Sequence, residues 1–327
     1  MKVVTDKGIL VRSYIERFSH TPKLSLARKI YSENALLFKD VEEARSMIRY
    51  HTGKTGRRHL CKDPSSKLIG ACELPESICK EYVRYEMPKV NNKILCLFDI
   101  HFPFHDNNIL ELALQYGKDH GANTVLLGGD VVDFYSLSWF SHEPNLSTFQ
   151  LEREMFWQFL DVIDHYMPNA KVIWQEGNHE RRYENYLMSK APEIFDTEEF
   201  KLEFLFKCEE LGVTYVGDKR VIKIGKINSV HGDEYGNSIN TPVNAARNLF
   251  LKAKACAIEG HFHATSEHTE TDIDGKVITC WSVGCCCGLH PKYRPLNRWN
   301  NGFAEIELEK DGNFTVHNHR IVKGKIV

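Results

Sequence analysis

Five short clusters of acid, imidazole and amide side chains recur through the middle of this 327-residue chain. They are Asp99-Ile100-His101, Gly129-Asp130-Val131-Val132-Asp133, Gly177-Asn178-His179-Glu180, His231-Gly232-Asp233 and Gly260-His261-Phe262-His263. In an extended segment, residues two apart face the same way. Asp99 with His101, and His261 with His263, are therefore expected to approach one cation together. Asp130 adds a carboxylate whose two oxygens can bridge two cations, Asn178 an amide oxygen and His231 a further imidazole. These seven oxygen and nitrogen donors are too many for one tetrahedral zinc and suit two metals. No thiolate is among them, which leaves Mn, Fe, Zn, Mg or Co open. Two divalent cations, two aspartates and a bridging hydroxide leave the site at about +1, a charge that attracts phosphate. Two metals about 3.5–4 Å apart can stabilise both the attacking and the leaving oxygen of an in-line displacement. A metal-bound water with a pKa of about 7 supplies hydroxide at neutral pH.

Each cluster sits at or just beyond the end of a short apolar run, where ligands bind in α/β sheets. From residue 93 the runs 94–98, 124–127 and 171–174 read as strands, with helical segments near 108–120 and 150–166 between them. That alternation predicts an α/β core. After residue 212 the expected strands crowd together, at 213–216, 221–224, 227–230, 255–258, 277–281, 303–308 and 314–316.

The first ninety residues read differently. Ile9, Leu10, Tyr14, Ile15 and Phe18 recur at helical spacing, Thr21-Pro22 starts a second helix, and Asp40 with Glu43 suggests a capping box on a third. Three short helices over 1–60 resemble a helix-turn-helix module. Charge follows the same division, with +7 over residues 1–90 and −9 over 91–327. The stretch 45–62 carries Arg45, Arg49, Lys54, Arg57, Arg58 and Lys62 without an acid, so it is a candidate contact for DNA or RNA. A docking or oligomerisation cap is the other reading of the module. Residues 61–92 are expected to form a linker and 93–327 the catalytic domain.

The composition, 42% apolar and 26% charged, excludes wholesale disorder and collagen. No apolar run approaches the length of a transmembrane helix and the start has no signal-peptide core, so a cytoplasmic protein with no membrane contact is expected. Ten cysteines are too sparse for a disulfide scaffold, and the adjacent Cys285-Cys286-Cys287 suits a reducing compartment. His59, Cys61, Cys72 and Cys79 lack regular zinc spacing and read better as plain thiols and a histidine.

Taken in order, the five motifs resemble those of the calcineurin-like metallophosphoesterases, over roughly residues 93–265. The resemblance implies a two-sheet β-sandwich flanked by helices, here with a small N-terminal α-helical domain. It implies two divalent ions, manganese first, with iron, zinc, magnesium, cobalt or nickel as alternatives. Asp99, His101, Asp130 and His263 would hold one, and Asp130, Asn178, His231 and His261 the other. His179 would protonate the leaving oxygen, oriented by Asp133. More loosely, the whole chain with its segment 281–303 also resembles phosphoesterases of bacteriophages and prophages.

For substrate, Phe134 stands where the Ser/Thr protein-phosphatase branch has an arginine, which weakens that reading. Arg181 and Arg182 directly follow the Gly-Asn-His-Glu motif and suit phosphate oxygens; otherwise they are surface charges on a helix. The loop 281–303 interleaves Tyr293 and Trp299 with Arg294 and Arg298, a pattern that can stack bases and hold phosphates. A phosphodiesterase acting on nucleic acid, such as a nuclease, is the expected activity. A phosphomonoesterase acting on a nucleotide, metabolite or phosphoprotein, and a non-catalytic DNA-binding or assembly protein, are the alternatives.

Overall fold

The structure, a computed structural model, describes residues 5–52, 77–139, 143, 146–236 and 242–327. The chain divides into two compact units, residues 1–80 and 81–327.

The first unit contains α1 (Asp6–Arg17), α2 (Lys23–Glu33) and α3 (Val41–Thr52). Their apolar faces close on Val11, Leu26, Ala27, Ile30, Phe38, Ala44 and Ile48. Ile9, expected on the inner face, is 58% exposed, and Val11 is buried instead. Asp40 accepts the Glu43 N–H at 2.8 Å, as a capping residue should. The Glu43 carboxylate reaches the N–H of Lys39 rather than that of Asp40, one residue short of a capping box. Arg45 and Arg49 lie 3.4 and 3.7 Å from Glu42, so one acid from the same helix partly offsets them. The rest of the basic stretch (Lys54, Arg57, Arg58, Lys62), with His59, Cys61 and Cys72, lies outside the described residues.

The second unit runs β1 (Tyr85–Glu86), β2 (Lys93–Leu97), α4 (Asn107–Asp119), β3 (Thr124–Leu127), α5 (Phe149–Tyr166), β4 (Lys171–Gln175), α6 (Glu180–Lys190), α7 (Leu202–Leu205), β5 (Val213–Val216), β6 (Ile222–Ile224), β7 (Ile227–Ser229), α8 (Ala245–Ala253), β8 (Ala257–Glu259), β9 (Ser266–Thr271), β10 (Val277–Ser282), β11 (Asn301–Leu308), β12 (Phe314–Val322) and β13 (Lys325–Ile326). A seven-stranded sheet has the order β13-β12-β11-β2-β3-β4-β5, and a six-stranded sheet the order β1-β6-β7-β8-β10-β9. This is the expected sandwich flanked by helices. Part of the expected linker is a strand, since Tyr85 and Glu86 pair in parallel with Ile222 and Lys223.

Strand alternation builds two cores from one sheet. Ile94, Cys96, Leu126 and Ile173 face the second sheet, meeting Ile222, Ile224, Ile258 and Trp281. Leu95, Leu97, Val125, Leu127 and Trp174 face the other way, under Leu110, Leu114, Phe156 and Phe159 of the flanking helices. Because both faces are covered, these strands read as continuous apolar runs. The helix suggested at Arg181 and Arg182 runs the length of α6, and α7 and α8 were not anticipated. In α6 the charged run leaves only Glu180, Tyr183 and Leu187 buried. In α8, capped by Asn244 through the Arg247 N–H (2.9 Å), Ala246 and Leu249 cover the second sheet. β9, with the polar sequence Ser-Glu-His-Thr-Glu-Thr, is held at the sheet edge by β10 rather than by burial of its own.

Candidate metal centre

The parallel strands β2, β3 and β4 end side by side, and β7 and β8 end beside one another in the facing sheet. All five motifs follow these ends, so residues far apart in sequence converge. Asp99, His101, Asp130, His261 and His263 all have φ between 52° and 62°, in the left-handed region. The donors do not converge by simple strand alternation, as expected from their spacing. Each chain leaves its strand through a turn that costs conformational energy and aims the side chain inward. Gly177 makes room for this packing: a Cβ there would lie 2.3 Å from Asp130 Oδ1.

The donor atoms crowd together. His263 Nε2 lies 3.3 Å from Asp99 Oδ1 and 3.3 Å from His101 Nε2. Asp130 Oδ2 lies 3.3 Å from His231 Nε2 and 3.9 Å from His101 Nε2. Asn178 Oδ1 is 3.2 Å from His231 Nε2. Asp130 belongs to two ligand-like groups, one with His101 and His179, the other with His231 and His261. That placement is what a bridging carboxylate requires.

Hydrogen bonds set the tautomers. His231 Nδ1 is 3.0 Å from the Gly128 carbonyl oxygen, which only accepts, so Nδ1 carries the proton and Nε2 presents a lone pair. His101 Nδ1 faces the Asp133 carboxylate at 3.1 Å with the same result. Asp99 Oδ1 is fully buried without a hydrogen-bond partner. Converging lone pairs and an unpartnered buried carboxylate oxygen fit divalent cations. The carboxylates' negative potential also shows in proton affinities. Burial opposes charge on His263, yet Asp99 lifts it to about 10. Burial likewise opposes charge on His231, and Asp130 holds it well above the ordinary imidazole value. Cations bound here would take the place of those protons.

His179 sits at the rim of this cluster. Its Nδ1 donates to the Asp133 carbonyl oxygen at 2.9 Å and lies 3.3 Å from the Asp133 carboxylate. Asp133 thus touches both His101 and His179. Arg182 reaches the Asp133 carbonyl at 2.9 Å and lies 3.1 Å from His179 Nε2. Arg181 is committed elsewhere, to the carboxylates of Asp233 and Glu176. Phe134 is fully buried against Phe149 and Phe206, so it offers no group to a substrate. In the loop after β10, the Trp299 ring lies 4.1 Å from that of His263, and Tyr293 lies 6.4 Å from Trp299. Arg294 and Arg298 lie on the same loop.

Two contributors, Glu180 and Cys287, had no assigned role in the sequence reading, and Trp299, expected there only as a stacking aromatic, has a specific neighbour. Glu180 accepts the N–H groups of Asp130 (2.9 Å), Val131 (2.8 Å) and Gly177 (2.8 Å), tying the β3 and β4 turns together. Its signal was its place in the Gly-Asn-His-Glu motif. Cys287 Sγ lies 3.9 Å from His263 Nδ1 and groups with His101 and His263, a thiol beside donors read as purely oxygen and nitrogen. Trp299 flanks the same imidazole. No local pattern places Cys287 or Trp299 beside His263, because the return of the chain between β10 and β11 brings them there.

Residues 93–278 match the family model described as calcineurin-like phosphoesterase. The Gene 54 proteins of Mycobacterium phages L5 and D29 are each 26% identical, over 67% and 68% of this chain and 90% and 91% of theirs. Among solved structures, Vacuolar Protein Sorting 29 from Cryptosporidium parvum aligns with TM-score 0.38 and 18% identity, over 72% of this chain and 94% of that one. Yfce, a phosphoesterase from E. coli, aligns with TM-score 0.33 and 16% identity, over 69% and 98%. The chain belongs to the calcineurin-like phosphoesterase family and is a metal-dependent phosphoesterase.

Proposed function

We propose that the protein hydrolyses phosphodiesters of nucleic acid at a two-cation centre. Asp99, His101, Asp130 and His263 would hold one cation, and Asp130, Asn178, His231 and His261 the other, manganese being the first candidate. When bound, such ions supply Lewis-acid charge for phosphoryl oxygens and make water available as a nucleophile near neutral pH. The chain's own groups do the rest. With Nδ1 fixed on the Asp133 carbonyl, His179 has Nε2 as the atom for proton transfer; here Nε2 accepts from the Arg182 guanidinium at 3.1 Å, a contact that must open when Nε2 carries the proton. Burial opposes charge on this imidazole, but Asp130 and Asp133 outweigh it and raise its proton affinity. A group so held is suited to protonate a leaving alkoxide. Arg182 lies beside this imidazole and meets one carboxylate, Asp133 (3.2 Å), against the two that hold Arg181, which makes it the better candidate of the two arginines for a phosphate oxygen.

The observation that carries the diester reading is Trp299 against His263, with Tyr293, Arg294 and Arg298 on the same loop. An aromatic at the rim of the centre can stack a base while a neighbouring phosphate reaches the cations. Arg45 and Arg49 of the helical module would add a further contact to DNA or RNA. The three adjacent thiols, free in this structure, suit a cytoplasmic setting.

The test is manganese-dependent turnover of bis-p-nitrophenyl phosphate against p-nitrophenyl phosphate, with His179→Ala beside wild type. A strong diester preference, followed by cleavage of DNA or RNA that Trp299→Ala weakens, is expected. A strong monoester preference with intact nucleic acids would overturn the reading.

A further inference from the structure

At the opposite end of β2 from the metal centre lies a second cluster of metal-ligating side chains. Glu305 and Glu307 are two apart on β11, so both side chains project from the face that also carries Phe303. His317 on β12 lies directly opposite Glu305 in the antiparallel register. One donor atom each from Glu305, Glu307 and His317 fall within 4.8 Å of one another. Glu307 pairs with Lys93, the first residue of β2, whereas Asp99 follows its end. Glu305 pairs with Leu95, so at about 3.3 Å per residue roughly 13 Å (from Glu305) to 20 Å (from Glu307) of strand separates the two clusters.

Glu305 is 2% exposed. Its Oε2 accepts the Tyr116 hydroxyl at 3.0 Å, and its Oε1 has no hydrogen-bond partner. A carboxylate oxygen left bare in such a place is costly unless a charge meets it. The cation at hand is Lys93, whose Nζ is 4.0 Å from Glu307 and donates to the His120 carbonyl at 3.0 Å. Lys93 therefore serves the end of α4 and leaves Glu305 unanswered. The surroundings favour positive charge further. The carbonyl end of α4 closes over the cluster through Tyr116 and the capping residue His120. His319 Nε2, two residues along from His317, is also buried without a partner.

We propose that Glu305, Glu307 and His317 form a second, structural site for a divalent cation of the zinc type, separate from the catalytic centre. Two carboxylates and one imidazole are a zinc-compatible donor set, with a fourth position for water or His319. Donors around a tetrahedral zinc at about 2.0–2.2 Å sit about 3.3–3.6 Å apart, so modest rotations of the exposed His317 and half-buried Glu307 bring the three into place. The ion pins the β11–β12 hairpin to α4, which contacts Glu305 through Tyr116.

The experiment is equilibrium dialysis of the full chain against zinc, with bound metal counted by mass spectrometry, for wild type, His317→Ala, Glu307→Gln and Asp130→Asn. His317 is exposed and Glu307 half-buried, so their variants keep the fold where a Glu305 change could lose it. His317→Ala and Glu307→Gln are each expected to bind one equivalent fewer than wild type, at unchanged turnover of the nitrophenyl ester that wild type prefers. Zinc should raise their melting temperatures less than that of wild type. Asp130→Asn should keep this equivalent while losing metal from the catalytic centre, so failure of either site is read separately. Cobalt in place of zinc should give a His317-dependent visible band without sulfur-to-metal charge transfer. Variants that hold as much zinc as wild type, or an Asp130→Asn protein that holds none, would overturn the proposal.

Discussion

Individual donors were visible in the sequence because their chemistry is rare outside sites: buried aspartates, an asparagine and imidazoles gain nothing as ordinary packing. Their partners were not visible. Asp133 was expected to orient His179, and the structure puts its carboxylate 3.1 Å from His101 Nδ1 as well. Two outcomes follow at this scale. His179→Ala should keep bound metal and lose about 10²–10⁴-fold in rate, most for substrates with poor leaving groups. Equal losses on good and poor leaving groups would remove His179 from the acid role. Asp133→Asn should weaken metal binding by about 10–100-fold, since it disturbs the His101 ring, and should slow turnover even at saturating metal because it also touches His179. Titration of metal content against free manganese distinguishes the two effects.

Elements decide whether those donors meet. The turns after β2, β3 and β8 hold non-glycine residues in the left-handed region, and the turn after β4 needs glycine at 177 for want of space. Gly177→Ala should therefore cost metal occupancy before it costs the fold, measured by metal content beside a melting curve. Glu180 is the brace of the same region. Replacing it by Gln leaves one acceptor oxygen for the N–H groups of Asp130, Val131 and Gly177. Glu180→Gln should destabilise by about 3 kcal/mol in denaturant unfolding; a loss under 1 kcal/mol would mean these turns hold without it. Strand positions were legible from apolar runs, whereas the extent of α6 was hidden by its charge and β9 by its polarity. Both are stabilised by neighbours rather than by their own pattern.

At the scale of the whole molecule, pH and salt report on packing and charge. Burial raises the Glu152 carboxyl to about 7, although Ser147 and the Phe134 N–H hydrogen-bond to it. Its folded pKa thus exceeds the unfolded value, and the folded state holds the extra proton between them. This contribution to stability is present below the ordinary carboxyl range and is lost as pH rises through about 7. Wild type should lose melting temperature between pH 5 and 8, and Glu152→Gln should lose less. Parallel profiles would assign the loss to other groups. The proposed nucleic-acid contact of the N-terminal unit is tested by salt instead. Arg49→Ala should lower nucleic-acid affinity and flatten its dependence on salt, by a slope of about one contact. An unchanged slope would argue against α3 as a contact.

The sequence by itself determined the family chemistry, the strand-end location of the five motifs and the charge division, because each rests on residue type and short spacing. Only the tertiary structure decided which arginine stands beside His179, that Arg181 is held by Asp233 and Glu176, and that Phe134 belongs to an aromatic core. It also brought Cys287 and Trp299 to His263, and Glu305 across from His317. The physical reason is common to all of these. Each depends on the register between strands and on the path of a long return loop, which are set by side-chain packing between sheets and leave no periodic trace in the local sequence.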